Sequence, residues 1–329
     1  MFILLSFERM RNLKTEEIIK KDLEISTFNA GNPLVTTKIE DVYSLWIYGV
    51  KLNSKPNTIV KYEGIFRNHI SDIKNIPIAE INRATVNVFT KKLQSKGLSN
   101  KTINDILIVL NMLLNYAAEE YEINIPKIKY LREPRNKTRY LTVAEEKRLI
   151  DYLMTNTDVH KFGTLLALFT GIRIGELCAL KWEDITENTI VINKTMTRVK
   201  LSEKSEVIVQ PPKSECSVRI IPYPKQLLKL YNKFKQSGYV MSTKRIEYTE
   251  PRYMQMKFEK YVHDCELKGV TFHTLRHTFA TRCIEAGVDA KTVSELLGHY
   301  DTNITLNRYI HSSFELKQNS IEKMENLLK

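Results

Sequence analysis

H-T-L-R-H at residues 273–277, then L-G-H at 297–299, then T-N-I-T-L-N-R-Y ending at Tyr309, form the stretch from which the rest of the chain can be read. Its spacing is helical, so His273, Arg276 and His277 at i, i+3 and i+4 share one face. Two histidines four apart suit a metal when a Glu or other third ligand stands near, and a guanidinium between them would repel the cation. Arg276 therefore points to an anion. A planar guanidinium with imidazole donors makes a cradle for a phosphate, and a tyrosine beside it is a candidate nucleophile.

Upstream, T-G-I-R-I-G-E-L-C-A-L-K-W at 170–182 sends Ile174, Leu177, Leu180 and Trp182 inward. Arg173 falls at a helix start, where backbone N–H groups and the helix dipole favour an anion. An apolar helix over 161–170 ends at Gly171, and Thr142 with Glu145 spells a capping box for the helix before it. Three strand-like runs follow at 189–193, 207–210 and 218–222, for which one small antiparallel sheet is the simplest arrangement. Residues 195–206 then read as a long hairpin connection carrying Arg198, Lys200 and Lys204. Lys213, in P-P-K-S-E-C-S, sits at the turn between the last two strands, where a hairpin tip could carry an ammonium into a site and where a lysine is more often simply solvated. Helices resume over 225–235 and 251–268. After Tyr309, the spacing of Leu316, Ile321, Met324, Leu327 and Leu328 predicts an amphipathic tail helix.

Toward the N-terminus the pattern is wholly helical. Ile39, Val42, Tyr43, Trp46 and Ile47 lie on one stripe. A second helix opens at Pro56 and runs to Ile70, a third spans 84–96 and ends at Gly97, and a fourth starts near Ser99 and carries Ile103, Ile106, Leu107, Leu110, Leu113, Leu114 and Ala117. Pro126–Tyr140 holds six Lys or Arg against one acid, with two prolines, and reads as a basic linker. These boundaries predict a leader or arm over 1–36, a helical domain over 37–125, the linker over 126–140, a second domain over 141–312 and a tail helix over 313–329. The leader reads either as a DNA or partner contact or as a flexible lead-in.

Composition agrees with a globular protein. Of 329 residues, 43% are hydrophobic and 27% charged, so disorder is not the default, and the length allows about two cored domains. The net charge of +12 favours a polyanionic partner, nucleic acid before anionic membrane. Cys178, Cys216, Cys265 and Cys283 form no C-x-x-C pair and read as reduced thiols of a cytoplasmic protein. The apolar start, M-F-I-L-L-S-F, lacks a basic flank and is far short of the roughly 20 residues of a membrane span.

Taken in order, Arg173, Lys213, His273 with Arg276, His299 and Tyr309 give R, K, H-x-x-R, H and Y, and over nearly its full length the chain resembles the tyrosine recombinases, the phage-integrase family. The style is closest to integrases of Gram-positive phages and conjugative transposons, although the leader is shorter than the arm-binding domain of many of those. The resemblance implies a mainly α fold with a small antiparallel β-sheet: a helical, SAM-like core-binding domain and a mixed α+β catalytic domain. It implies that Arg173, Lys213, His273, Arg276, His299 and Tyr309 are catalytic, with Glu176 in support. It also implies strand cleavage and rejoining through a 3′-phosphotyrosyl link without cofactor or metal, on double-stranded recombination sites, by a homotetramer with accessory DNA-bending or excision factors.

Integration and excision of a mobile element lead over Xer-like dimer resolution and DNA inversion. Two other classes stand against a recombinase. A type IB topoisomerase would share the chemistry but has no call for the separate helical domain and tail, and a DNA-binding protein with an inactive site would not keep the full set.

Overall fold

The computed structural model describes residues 37–134, 138–201, 204–212 and 215–298, with five tail positions at 318, 321, 322, 324 and 325. The leader, Lys213, His299 and Tyr309 lie outside the described residues. The chain divides into two units, Met1–Arg135 and Asn136–Lys329.

In the first unit the helices are α1 (Ile39–Asn53), α2 (Pro56–Asn68), α3 (Arg83–Ser95) and α4 (Asn100–Tyr121). Their starts are set locally. Pro56 supplies the first turn of α2; the Asn82 side chain accepts from Ala84 N at 2.8 Å and Thr85 N at 3.1 Å, and Ser99 from Thr102 N at 3.1 Å. The expected second helix is shorter than its periodicity, because Ile70–Ile73 continues as a 3₁₀ turn. The stripe of α4 from Ile103 to Ala117 is fully buried and forms the spine of the core, against which Val42, Trp46, Phe66, Phe89 and Leu93 pack. Residues 126–134 also belong to this unit's packing: Ile128 is buried and Leu131 lies against the core.

The second unit opens with α5 (Val143–Met154), whose Thr142–Glu145 capping box forms as its sequence predicts. α6 (Val159–Thr170) is buried on nearly every side, which matches its almost unbroken apolar run, and Phe162 stacks on Trp182 at 5.9 Å. α7 (Ile174–Ala179) follows one short bend later. Four strands, β1 (Thr189–Ile192), β2 (Thr195–Leu201), β3 (Lys204–Gln210) and β4 (Arg219–Pro222), precede α8 (Leu228–Phe234), α9 (Pro251–Asp264), α10 (Phe272–Glu285) and α11 (Ala290–Leu297). The described tail positions are helical and exposed.

The strands correct the single-sheet expectation. β2 pairs antiparallel with β3, in register Thr195 opposite Gln210, and β4 pairs antiparallel with β1, Thr189 opposite Pro222, giving two two-stranded sheets. Residues 195–201 are thus a strand, not a loop. Since β3 and β4 belong to different sheets, they do not form the hairpin expected between the last two strands, and Lys213 itself lies outside the described residues. The fold remains mainly α with small antiparallel β elements. Among the described residues, no helix is long and apolar enough to cross a membrane.

Candidate active site

Four segments of the second unit converge at one place: the bend after α6, the start of α7, the N-terminal turns of α10 and the end of α11. Gly171 ends α6 with φ +66°, and a Cβ there would come within 2.6 Å of Phe279 and 2.7 Å of Leu297. Only glycine lets the chain turn so close to α10 and α11. Gly298 ends α11 in the same left-handed conformation, at φ +64°.

Those two helix ends hold the arginines. Arg276, 2% exposed, donates from Nη1 to Gly171 O at 2.9 Å and from Nη2 to Leu297 O at 2.7 Å. Arg173 donates from Nη1 to the same Leu297 O at 3.4 Å and from Nη2 to Gly298 O at 3.1 Å. C-terminal carbonyls carry the negative end of the helix dipole, so both guanidinium groups are oriented by fixed partial charges. Arg173 and Arg276, far apart in sequence, share one acceptor, and His299 is the next residue after Gly298.

Glu176 adds a formal negative charge. Its Oε1 accepts from Arg173 Nη1 at 2.8 Å and its Oε2 from Arg173 N at 2.9 Å. The helix start expected to bind an outside anion therefore spends that N–H on its own carboxylate. Burial pushes the Glu176 carboxyl up, but the hydrogen bonds and charge of Arg219, with the charge and N–H of Arg173, override it and hold the group below the ordinary carboxylate range.

Arg219 is the residue that sequence reasoning missed. It lies on β4 with its side chain 5% exposed, and it forks onto Glu176 through Nη2–Oε2 at 2.8 Å and Nη1–Oε1 at 3.2 Å. The run V-R-I-I-P gave no signal, since Val218 and Ile220 on one alternating face and Ile221 on the other are all apolar; the structure puts Arg219 on the inward face with the buried Ile221 and leaves Ile220 exposed.

His273 and His277 do share the face expected of them. Their rings meet edge to face at 4.6 Å and 89°, with His273 exposed and His277 half-buried. Of the seven residues singled out by sequence, the structure brings together Arg173, Glu176 and Arg276 by direct bonds or a shared acceptor and carries His273 on the helix of Arg276, whereas Lys213, His299 and Tyr309 fall outside the described residues. All four cysteines are free, and burial pushes the Cys283 thiol up to about 11 and Cys178 higher still, so neither is a ready thiolate.

Residues 139–315 match the phage integrase family and residues 38–94 its N-terminal SAM-like domain. A tyrosine recombinase XerC-like protein of Caldanaerobacter subterraneus subsp. tengcongensis is 30% identical, across 87% of this chain and 82% of the relative. The ICEBs1 integrase of Bacillus subtilis (strain 168) is 26% identical over the same shares of the two chains. In fold, the Tn1549 transposon integrase in complex with transposon right end DNA superposes with a TM-score of 0.77 at 22% identity, covering 88% of this chain and 100% of that one. With the family matched across more than half its length, the chain belongs to the phage integrase family, the tyrosine-type site-specific DNA recombinases.

Proposed function

We propose that the second unit cleaves and rejoins double-stranded DNA through Tyr309, and that the biological task is integration and excision of a mobile element. The tyrosine oxygen attacks a backbone phosphorus, the bond to the 5′ oxygen breaks, and a 3′-phosphotyrosyl link keeps the bond energy for the new partner strand. Negative charge builds on the nonbridging oxygens, where Arg173 and Arg276 would hold it through charge-assisted hydrogen bonds. Tyrosine, with a reference pKa of about 10, needs a base, and His273 takes that role. Lys213 protonates the departing 5′ oxygen, and His299 hydrogen-bonds the phosphate.

The observation that carries this reading is the pair of arginines locked onto one helix-end carbonyl, Leu297 O, one residue before Gly298 and two before His299. Such locking pre-pays the orientation of the donors, which is what stabilising a transient charge requires. A cytoplasmic homotetramer on paired sites, assisted by DNA-bending or excision factors, fits this chemistry. The net charge of +12 suits the DNA.

Xer-like dimer resolution is the second reading, favoured by the name of the 30%-identical relative. Mapping covalent cleavage on DNA that flanks the protein's own gene separates the two. Cuts at matching repeats on both ends of an element are expected; cuts at a single chromosomal site with no element around it would overturn the mobile-element role.

A further inference from the structure

Glu176 sits 3% exposed between two guanidinium groups, and the two are not equivalent. Arg173 is 36% exposed at the side chain, while Arg219 is 5% exposed. Arg219 meets both carboxylate oxygens with its fork, donates Nε to Leu296 O at 2.7 Å, and donates Nη1 to Ser217 O at 3.1 Å. A Cβ on Gly298 would stand 3.1 Å from its Cδ and Nη1, so the end of α11 rests directly on this side chain.

We infer that Arg219 is a positioning residue of the recombinase site: it neutralises Glu176 so that the charge of Arg173 remains available to the DNA phosphate, and it fixes the end of α11 from which His299 follows. The inference rests on the reading of Arg173 as a phosphate-holding group. Two guanidinium charges against one carboxylate leave one net positive charge, and burial decides where it resides. The pair that is out of water, Arg219 with Glu176, is the one that must be neutral, because an unpaired buried charge is costly. Remove Arg219, and Glu176 can draw only on Arg173, whose field at the phosphate is then largely cancelled.

The experiment is single-turnover formation of the covalent adduct on a nicked DNA site, with DNA affinity and thermal unfolding measured alongside. Arg219→Gln is expected to slow adduct formation roughly 10²-fold while DNA affinity changes by only a few-fold. Adding Glu176→Gln should restore at least about tenfold of that rate at a temperature where all the variants remain folded, because the carboxylate that quenched Arg173 is gone; a rate loss that only tracks thermal unfolding, and vanishes where every variant is folded, would mark a merely structural pair and overturn the inference. An Arg219→Gln rate equal to wild type, or a double variant no faster than the single one, would overturn the inference.

If Arg219→Gln does not fold, the double variant, free of the unpaired carboxylate, is read against wild type. A rate within about tenfold supports the charge assignment. A loss as complete as in Tyr309→Phe, or failure of the double variant to fold, overturns it. Wild-type protein that forms no adduct at all would strike the recombinase chemistry itself, a separate outcome.

Discussion

At the scale of single residues, the described part of the site is a set of charges oriented by the fold itself, Arg173 and Arg276 on helix-end carbonyls and Glu176 between Arg173 and Arg219. Arg276→Ala should remove two donors from buried carbonyls, costing roughly 1–3 kcal/mol of stability, and should slow adduct formation by roughly 10²–10³; denaturant unfolding and single-turnover cleavage check the two parts. His160 gives a pH signature unrelated to catalysis. It is 5% exposed, with Nε2 at 3.1 Å from Thr249 Oγ1, and burial holds its pKa below the ordinary histidine value, with Asp158 opposing and Lys257 adding to the effect. The folded protein therefore keeps the ring neutral where the unfolded chain protonates it. That stability is fully present above about pH 6.5 and is lost as pH falls toward the depressed value, by at most about 1.4 kcal/mol per pH unit. The melting temperature of wild type should fall more steeply between pH 7 and 5 than that of His160→Gln, and equal slopes would contradict the assignment. Arg173 and Arg276 stood out in the sequence because one falls at a helix start and the other on a helix face between two histidines, whereas Glu176 was reached only through the family resemblance. Arg219 did not stand out, because it lies inside a run that reads as an ordinary strand.

Helices and strands carry the next level of the account. Gly171→Ala should destabilise by at least about 1–2 kcal/mol from the left-handed backbone alone, with crowding against Phe279 and Leu297 added, and should also disturb the carbonyl that orients Arg276; urea midpoints and adduct rates measure these. In the first unit, Asn104 is 7% exposed. Its amide accepts from Leu131 N at 2.8 Å and donates to Leu131 O at 2.9 Å and Glu133 Oε1 at 2.9 Å, so a segment that composition marks as a linker is tied to α4. Asn104→Ala should cost roughly 1–3 kcal/mol and speed amide exchange at Leu131; unchanged protection there would sink the tie. Helices were read well from sequence because their caps and apolar stripes are local signals. Strand pairing was read poorly for a physical reason. On β2 the buried residues Met196 and Val199 are three apart, which breaks the two-residue alternation, and which strand pairs with which depends on partners distant in sequence.

For the whole molecule, two separately cored units and a net charge of +12 frame the function. DNA affinity should fall steeply with salt, log K losing about 0.9 per log unit of salt for each phosphate neutralised; a salt-independent affinity would contradict the electrostatic account. The family was legible because R, K, H-x-x-R, H and Y recur in one order across the second unit, a pattern far more specific than any single member. What the sequence alone could not give is how Arg173 and Arg276 meet, since that depends on α6 and α11 ending side by side at Gly171 and Gly298. The claim that organises all of this is covalent chemistry at Tyr309. Its most direct measurement is incubation of wild type and Tyr309→Phe with nicked site DNA, followed by denaturing electrophoresis with and without protease. The account predicts a protease-sensitive protein–DNA adduct for wild type and, for Tyr309→Phe, retained binding with no adduct; an undiminished adduct in Tyr309→Phe would contradict it.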